Sequence, residues 1–408
     1  MLRVMVAVMA MAMALGAMPA LAAGGRAGFV FVQGKRFVGP DGQTFNIKGI
    51  NLGNWLIPEG YMFKFDHAKS PREINAVIER QVGREDAARF WQAFRETYIT
   101  REDIAFIKAC GFNTVRVPLH WALFVDRDDP ARFEGPGYRL LDRVIGWSRE
   151  VGLKVLIDMH AAPGGQTGVN HDDGSGIPLA FYVPAYRRLT VALWRHLAQR
   201  YRDEPAVIGY DLLNEPISPY LDTDYLDPRL EPLYQEITQA IRGVDPDHII
   251  FYAAAQWSTN FAVFGPPFAR NVAYTYHKFW AQPVRAEVQS YVNFADRYGV
   301  PIFLGETGEL TNEWNKNYRE LNERFGIGWS FWTYKNMDSG STVVSITPPK
   351  GWDAIARVAA RPPSQWTDDL IPPHDQALAT LNAYIEAMKF ANGRINRSYI
   401  ESLGLRAP

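Results

Sequence analysis

The stretch "GYDLLNEPIS", residues 209–218, decides how this chain is read. Its first half, with Gly209, Tyr210, Leu212 and Leu213, has the near-continuous apolar character of a strand buried on both faces. Its second half sets Asn214 and Glu215 directly before Pro216. An apolar strand usually runs into turn residues. A carboxylate pinned ahead of a proline is therefore either a solvated strand terminus or a group held at the rim of a site.

Seven further runs resemble this one: "FNIKGINL" (45–52), "NTVRVPL" (113–119), "KVLIDMH" (154–160), "HIIFYAA" (248–254), "NVAYTYH" (271–277), "PIFLGET" (301–307) and "IGWSFWTY" (327–334). With "VIGYDLLNE" (207–215) they make eight candidate strands, most of them apolar throughout. Helical patterns lie between them. "TREDIAFIKACGF" carries Thr100 as a plausible N-cap, acids in its first turn and Gly111 as its stop, and "LLDRVIGWSREVGL" ends at Gly152. "AYRRLTVALWRHLAQRYRD" and "RAEVQSYVNFADRYG" follow the same plan. Eight strands separated by helices predict an α/β fold, a single (β/α)8 TIM barrel with extended loops. A doubly wound sheet is the alternative, but no glycine-rich nucleotide fingerprint follows the first strand. No repeat, low-complexity tract or linker divides the chain, so residues 23–408 are read as one domain. Two segments read as insertions, Ile57 to Tyr98 and Lys335 to about Pro373, the second irregular and proline-rich. Loops of that length in a compact domain are often functional.

The composition suits this size of fold. The 408 residues are 47% hydrophobic and 21% charged, and the formal net charge of −1 gives no electrostatic case for nucleic acid or an anionic membrane. Twelve tryptophans exceed what packing alone suggests and suit stacking on sugar rings. Residues 1–22 read as a secretory signal peptide: Arg3, then the apolar run "VMVAVMAMAMALGAM", then "ALA" at 20–22 as a cleavage site. That implies a secreted or periplasmic protein. Cys110 is the only cysteine, which excludes internal disulfides and a cysteine-based metal site.

In a barrel of this kind the site lies at the C-terminal ends of the strands. The polar residues falling there are Arg116, His120 and Trp121 on the second strand, Asp158 and His160 on the third, and Asn214 and Glu215 on the fourth. Tyr276 and His277 end the sixth, Glu306 ends the seventh, and Trp332 lies on the eighth. Two carboxylates at one mouth are what cleavage of a glycosidic bond needs, one protonated to donate to the leaving oxygen and one ionised to attack. A neighbouring cation holds one ionised and burial holds the other protonated. Arg116 is a plausible partner for the ionised one.

Several of these stretches resemble glycoside hydrolase family 5, retaining hydrolases built on a (β/α)8 barrel. "LLNEP" is similar to that family's acid/base motif and "FLGETG" to its nucleophile motif. "NTVRVPLHW", "IDMH", "YHKFW" and "FWTYK" are similar to its other strand-end motifs. The resemblance covers essentially the whole mature chain. It implies Glu215 as general acid/base and Glu306 as nucleophile, with Arg116 among the substrate-binding residues and orienting and ionising Glu306. It further implies that Asn214 binds the sugar 2-hydroxyl, that His160 and His277 line the −1 site, and that Trp332 forms its floor. One departure is that Phe279 stands where the family usually has a tyrosine touching the nucleophile. Tyr276 is adjacent to His277 and points to the other side of its strand.

Two stretches narrow the substrate. "GINLGNWLIPEGYMF" and "DMHAAPGGQTGVNHDDGSG" are similar to the exo-β-1,3-glucanase branch of the family, which implies that Glu59 binds the terminal glucose and closes the pocket. The Gly164–Gly165 pair would let backbone approach a ligand, and "HDD" at 171–173 reads as a polar loop near the plus subsites. The expected activity is a monomeric retaining β-glycosidase acting on poly- or oligosaccharide without cofactor or metal, exo-acting on β-1,3-glucan. The alternatives are an endo-β-1,4-glucanase or another β-glucoside hydrolase of the same family, with a glycolipid head group among the possible substrates. A catalytically dead carbohydrate-binding barrel would have lost a carboxylate. A metal-dependent hydrolase would want His-x-His on the first strand, and "NIKGINLG" has none.

Overall fold

The computed structural model describes residues 26–408, so the stretch read as a secretory signal lies outside the described residues. Eight strands close into a barrel: β1 (Lys48–Asn51), β2 (Thr114–His120), β3 (Lys154–Ala161), β4 (Val207–Asp211), β5 (Ile249–Ala253), β6 (Val272–His277), β7 (Ile302–Glu306) and β8 (Gly328–Phe331). Every neighbouring pair is parallel, and β8 returns to β1 with Trp329 opposite Lys48. Parallel strands need helical crossovers that cover the outer face. These are the helices Arg101–Cys110, Gly137–Val151, Pro184–Tyr201, Thr223–Arg242, Ala286–Tyr298 and Asn312–Arg324. The first opens on a capping box at Thr100, whose backbone N–H donates to Asp103 Oδ2 at 2.8 Å. The crossover from β5 to β6 departs from the pattern, holding only short turns at Ala255–Ser258 and Phe261–Val263.

The apolar residues form two cores. One lies between the barrel wall and the helices, and the other fills the barrel's lower interior with Leu156, Ile208, Ile249, Phe251 and Phe303. An N-terminal hairpin, Phe31–Gln33 paired with Arg36–Val38, joins the inner core, with Phe37 stacked on Phe251 at 5.7 Å.

Three expectations need correction. The strand read as 207–215 ends at Asp211, although its line continues: Leu212 N–H donates to Phe251 O at 3.2 Å and Asn214 N–H to Met159 O at 2.9 Å. The segment 57–98 is mainly helix, Pro71–Tyr98, capped by Ser70 and Glu73 and broken at Gly83. Its apolar face changes register at that break, which hides the helical period. The segment 335–373 carries a parallel ribbon, Lys335–Met337 with Val344–Ile346, and a helix, Trp352–Ala359. The two segments meet where Phe63 and Phe65 stack on Trp352, and Tyr384, on the later helix His374–Ala387, packs against Phe63, Phe94 and Trp352.

A buried ion pair anchors the second segment: Lys335 Nζ lies 2.8 Å from Asp103 Oδ1, both fully buried, and also donates to Tyr98 O and Met388 O. Removing one partner leaves an uncompensated buried charge. Asp103→Ala is expected to cost about 3–5 kcal/mol, read as a lowered denaturant midpoint. Breaking the exposed Lys389–Glu386 pair is expected to leave the midpoint unchanged.

Candidate active site

The C-terminal mouth of the barrel opens into a cavity of about 980 Å³. Beneath its floor lies Arg116 on β2, fully buried among acids. Its Nε donates to Asp211 Oδ2 at 2.9 Å, its Nη2 to Asn214 Oδ1 at 2.9 Å, and its Nη1 to Asn51 Oδ1 at 3.1 Å and Glu306 Oε1 at 2.5 Å. Asp158 Oδ1 is 3.1 Å from Nη2. Burial disfavours the guanidinium charge, but Asp158, Asp211 and Glu306 outweigh it and hold Arg116 cationic. Arg116 does not line the cavity, which corrects its expected place among the substrate contacts.

Asn214 is fixed at both ends of its amide. Its oxygen accepts from Arg116, and its Nδ2 lies 3.2 Å from His160 Nε2. His160 Nδ1 in turn sits 2.8 Å from Asp158 Oδ2. The pattern assigns His160 a proton on Nδ1 and a lone pair on Nε2. Burial pushes His160 down to about 3, so it stays neutral. His160 also stacks against Trp332 at 5.5 Å, and Trp332 Nε1 donates to the Tyr61 hydroxyl at 2.6 Å.

The two carboxyls approach each other above this layer. An oxygen of Glu215 and one of Glu306 lie within 4.8 Å of each other, with His277 completing the group. His277 Nδ1 is 2.9 Å from Glu215 Oε1, and His171 Nε2 is 3.2 Å from Glu215 Oε2. Gly305 makes room for the first contact, since a Cβ there would come 2.8 Å from His277 Nε2. Glu215 itself has φ 45° ahead of Pro216, a left-handed conformation that costs a non-glycine residue energy and is typical of functional sites. Burial raises both carboxyls. For Glu306 the Arg116 charge offsets that rise, whereas Glu306 and Glu59 push Glu215 further up, so Glu215 titrates above Glu306.

Glu59 and Glu309 line the cavity beside Tyr61, and burial raises both. Neither has an ion-pair partner among the described residues. The aromatic residues Tyr220, Trp257, Phe279 and Trp280 form the outer wall.

All of Glu59, His160, Asn214, Glu215, His277, Glu306 and Trp332 line this one cavity. His120 and Trp121 do not: His120 Nε2 faces Asp173 at 3.4 Å, and Trp121 packs on the core. Tyr276 donates its hydroxyl to Asn322 on the outer face, and Phe279 faces the cavity, as the sequence predicts. The loop Gly164–Gly165 departs from expectation. A Cβ on Gly164 would strike Tyr186, and one on Gly165 would sit 2.9 Å from Asp172 Oδ2, so these glycines serve the loop's own packing. His171 reaches the Glu215 carboxyl. Glu309, Tyr61 and Trp280 were not foreseen. Glu309 was visible as a second acid in "GETGEL", but no strand periodicity aims it.

Asp158, His160 and Glu306, and likewise Glu215, His277 and Glu306, bring three possible metal-ligand atoms within 4.8 Å. Glu306 belongs to both groups and already accepts from Arg116, a fixed cation that opposes a second one.

Residues 80–338 match the profile of cellulase, glycosyl hydrolase family 5. A beta-xylosidase of Phanerodontia chrysosporium is 30% identical over 346 residues, spanning 76% of this chain and 71% of that one. A probable glucan 1,3-beta-glucosidase A of Aspergillus fumigatus is 32% identical over 217 residues, spanning 52% of this chain and 51% of that one, so the chain covers about half its length. The crystal structure of an endogalactoceramidase superposes with a TM-score of 0.60 at 17% identity, covering 93% of this chain and 86% of that one, which bears on the fold alone. The molecule is a glycosidase with a (β/α)8 barrel acting on carbohydrate. It belongs to glycoside hydrolase family 5.

The layer under the cavity has a consequence for stability. Burial, partly offset by Arg116, pushes Asp158 and Asp211 from the ordinary 3.8 up to about 7. A carboxyl raised in the folded state adds stability that is full below its unfolded value and is lost as pH rises through the folded one. Between about pH 7.5 and 8.5 the unfolded histidines are largely neutral, so the acids set the trend. The denaturation midpoint is expected to fall across that window. Asp211→Asn, which keeps an acceptor for Arg116, should reduce the slope; an unchanged slope would contradict the assignment.

Proposed function

We propose that the chain is a retaining, exo-acting β-glucosidase of β-1,3-glucan, with Glu306 as nucleophile and Glu215 as general acid/base. The observation that carries this is the approach of the two carboxyls to within 4.8 Å at one oxygen pair. Double displacement needs carboxyls about 5–5.5 Å apart, whereas inversion leaves a gap of about 6.5–9.5 Å for water. Glu306 pairs with Arg116, which favours its ionised form, and Glu215 is held higher by burial and by its acidic neighbours.

In the first step a Glu306 oxygen forms the bond to the anomeric carbon, the glycosidic C–O bond breaks, and Glu215 gives its proton to the departing oxygen. In the second step water attacks the glycosyl ester while Glu215 takes up a proton, restoring both groups. Asn214, pinned between Arg116 and His160, presents its amide to the sugar's 2-hydroxyl at no cost of reorganisation. Trp332 provides a flat floor. Glu59 and Glu309 would close the far end of the −1 site with two acceptors for the terminal hydroxyls of an unsubstituted sugar. That closure, together with the relatives named glucan 1,3-beta-glucosidase, supports terminal attack on glucan. Residues 1–22, read as a secretory signal, would export the 23–408 domain as a monomer to meet external polysaccharide.

Product analysis tests the substrate. Laminarin is expected to yield glucose alone, with slower or no release from cello-oligomers and aryl β-xyloside. Mixed oligomers from β-1,4-glucan would mean an open cleft, and faster turnover of the xyloside would place the chain with the beta-xylosidase relative. Variants test the roles. Glu306→Gln should abolish turnover, and near-wild-type activity would refute the nucleophile. Glu215→Ala should lose about 10²–10⁴-fold on unactivated substrates and regain part of it with azide.

A further inference from the structure

Glu215 is flanked by two histidines, and only His277 belongs to a barrel strand. His171 arrives from the loop after β3 on a short turn, Asn170–Asp172, and the loop is built to hold it there. Asp172 accepts the backbone N–H of Thr167 at 2.6 Å and of Gly174 at 2.7 Å. Gln166 stitches the loop to the segment carrying the acid: its Nε2 donates to His160 O at 2.7 Å and Asn214 O at 2.8 Å, and its Oε1 accepts from Ala162 N–H at 2.9 Å. Ile217 N–H and Ser218 N–H return bonds to Gln166 O and Thr167 O. His171 and Glu215 are thus parts of one cross-braced unit, and both face the cavity.

The protons can be placed. His277 Nε2 is buried with no hydrogen-bond partner. An unpaired N–H there would cost more than an unpaired lone pair, so the proton belongs on Nδ1, which donates to Glu215 Oε1 at 2.9 Å. A protonated Glu215 then carries its hydrogen on Oε2, the oxygen that faces His171 Nε2 at 3.2 Å. That nitrogen is buried and lies off the line of a good hydrogen bond. By the same reasoning it carries a lone pair, and at 3.2 Å it can accept the Oε2 proton once the acid hydroxyl turns toward it. Burial pushes His171 down to about 4, so it remains neutral while Glu215 is protonated and does not take the proton itself.

We propose that His171 is a positioning residue for proton donation, keeping the transferable proton on Glu215 Oε2, at the cavity wall, until the leaving oxygen takes it. This rests on the reading of Glu215 as general acid. When Glu306 bonds to the anomeric carbon and the C–O bond breaks, the electron pair on the departing oxygen takes the Oε2 proton, and Glu215 is left as a carboxylate still bonded to His277.

A leaving-group series separates this role from a structural one. Aryl β-glycosides of the sugar that wild type turns over fastest are assayed from dinitrophenyl to phenyl, with His171→Asn, His171→Gln and Glu215→Ala. All variants are checked for an unchanged melting temperature. Dinitrophenolate departs without a proton and phenolate does not, so kcat/KM reads the proton transfer of the first step. The His171 variants are expected to lose about tenfold on the phenyl glycoside while staying within about twofold of wild type on the dinitrophenyl one. Glu215→Ala should lose in the same pattern but more steeply. Equal loss at every leaving group, or none, overturns the role of His171 while a selective loss in Glu215→Ala keeps the acid assignment. Should Glu215→Ala itself lose evenly, that assignment falls and the proposal with it.

Discussion

A single guanidinium holds the centre of this barrel together. Arg116 on β2 bonds to Asn51 on β1, Asp211 on β4, Asn214 just beyond β4 and Glu306 on β7, and faces Asp158 on β3. A charge at this depth is expensive unless it is paired and fully hydrogen-bonded, and the three acids around it meet that demand. The same bonds fix the functional groups: they favour the ionised form of Glu306, turn the amide of Asn214, and through Asp158 and Asn214 set the tautomer of His160. Positioning is therefore done below the cavity, by groups that substrate does not touch.

The acids above this layer are numerous and close. Glu59, Glu215, Glu306 and Glu309 share one cavity, and Arg116 reaches only Glu306. Like charges in a buried site cannot all ionise at neutral pH. Some of these carboxyls therefore carry protons and donate hydrogen bonds, while the others accept. A sugar hydroxyl can do either, so a wall of mixed protonation suits a polyhydroxylated ligand.

Much of this was legible in the sequence. Barrel strands buried on both faces read as plain apolar runs, and barrel closure alone brings their ends together, so the sequence suffices to gather His160, Asn214, Glu215, His277 and Glu306 at one mouth. What escaped depends on loops folding back over long distances. The helix Pro71–Tyr98 was hidden by the change of face at Gly83, although "SPRE" announced its start. The hairpin at 31–38 joins the inner core through Phe37, which its local sequence does not signal. His171 is aimed by the bonds of Asp172 and Gln166, and Glu309 by its own left-handed turn (φ 59°), neither of which has a periodic signature. Arg116 was correctly paired with Glu306 but placed too high, since strand order does not tell how deep a long side chain lies.

The central claim is that Glu306 forms a covalent bond to the sugar while Glu215 moves the proton. The most direct measurement is mass spectrometry of peptides from enzyme inactivated by a 2-deoxy-2-fluoroglycosyl fluoride, which slows the second step more than the first. The account requires one sugar adduct, carried by the peptide containing Glu306 and lost when Glu306 is replaced. An adduct on Glu215, or no adduct together with a product of inverted anomeric configuration, would contradict it.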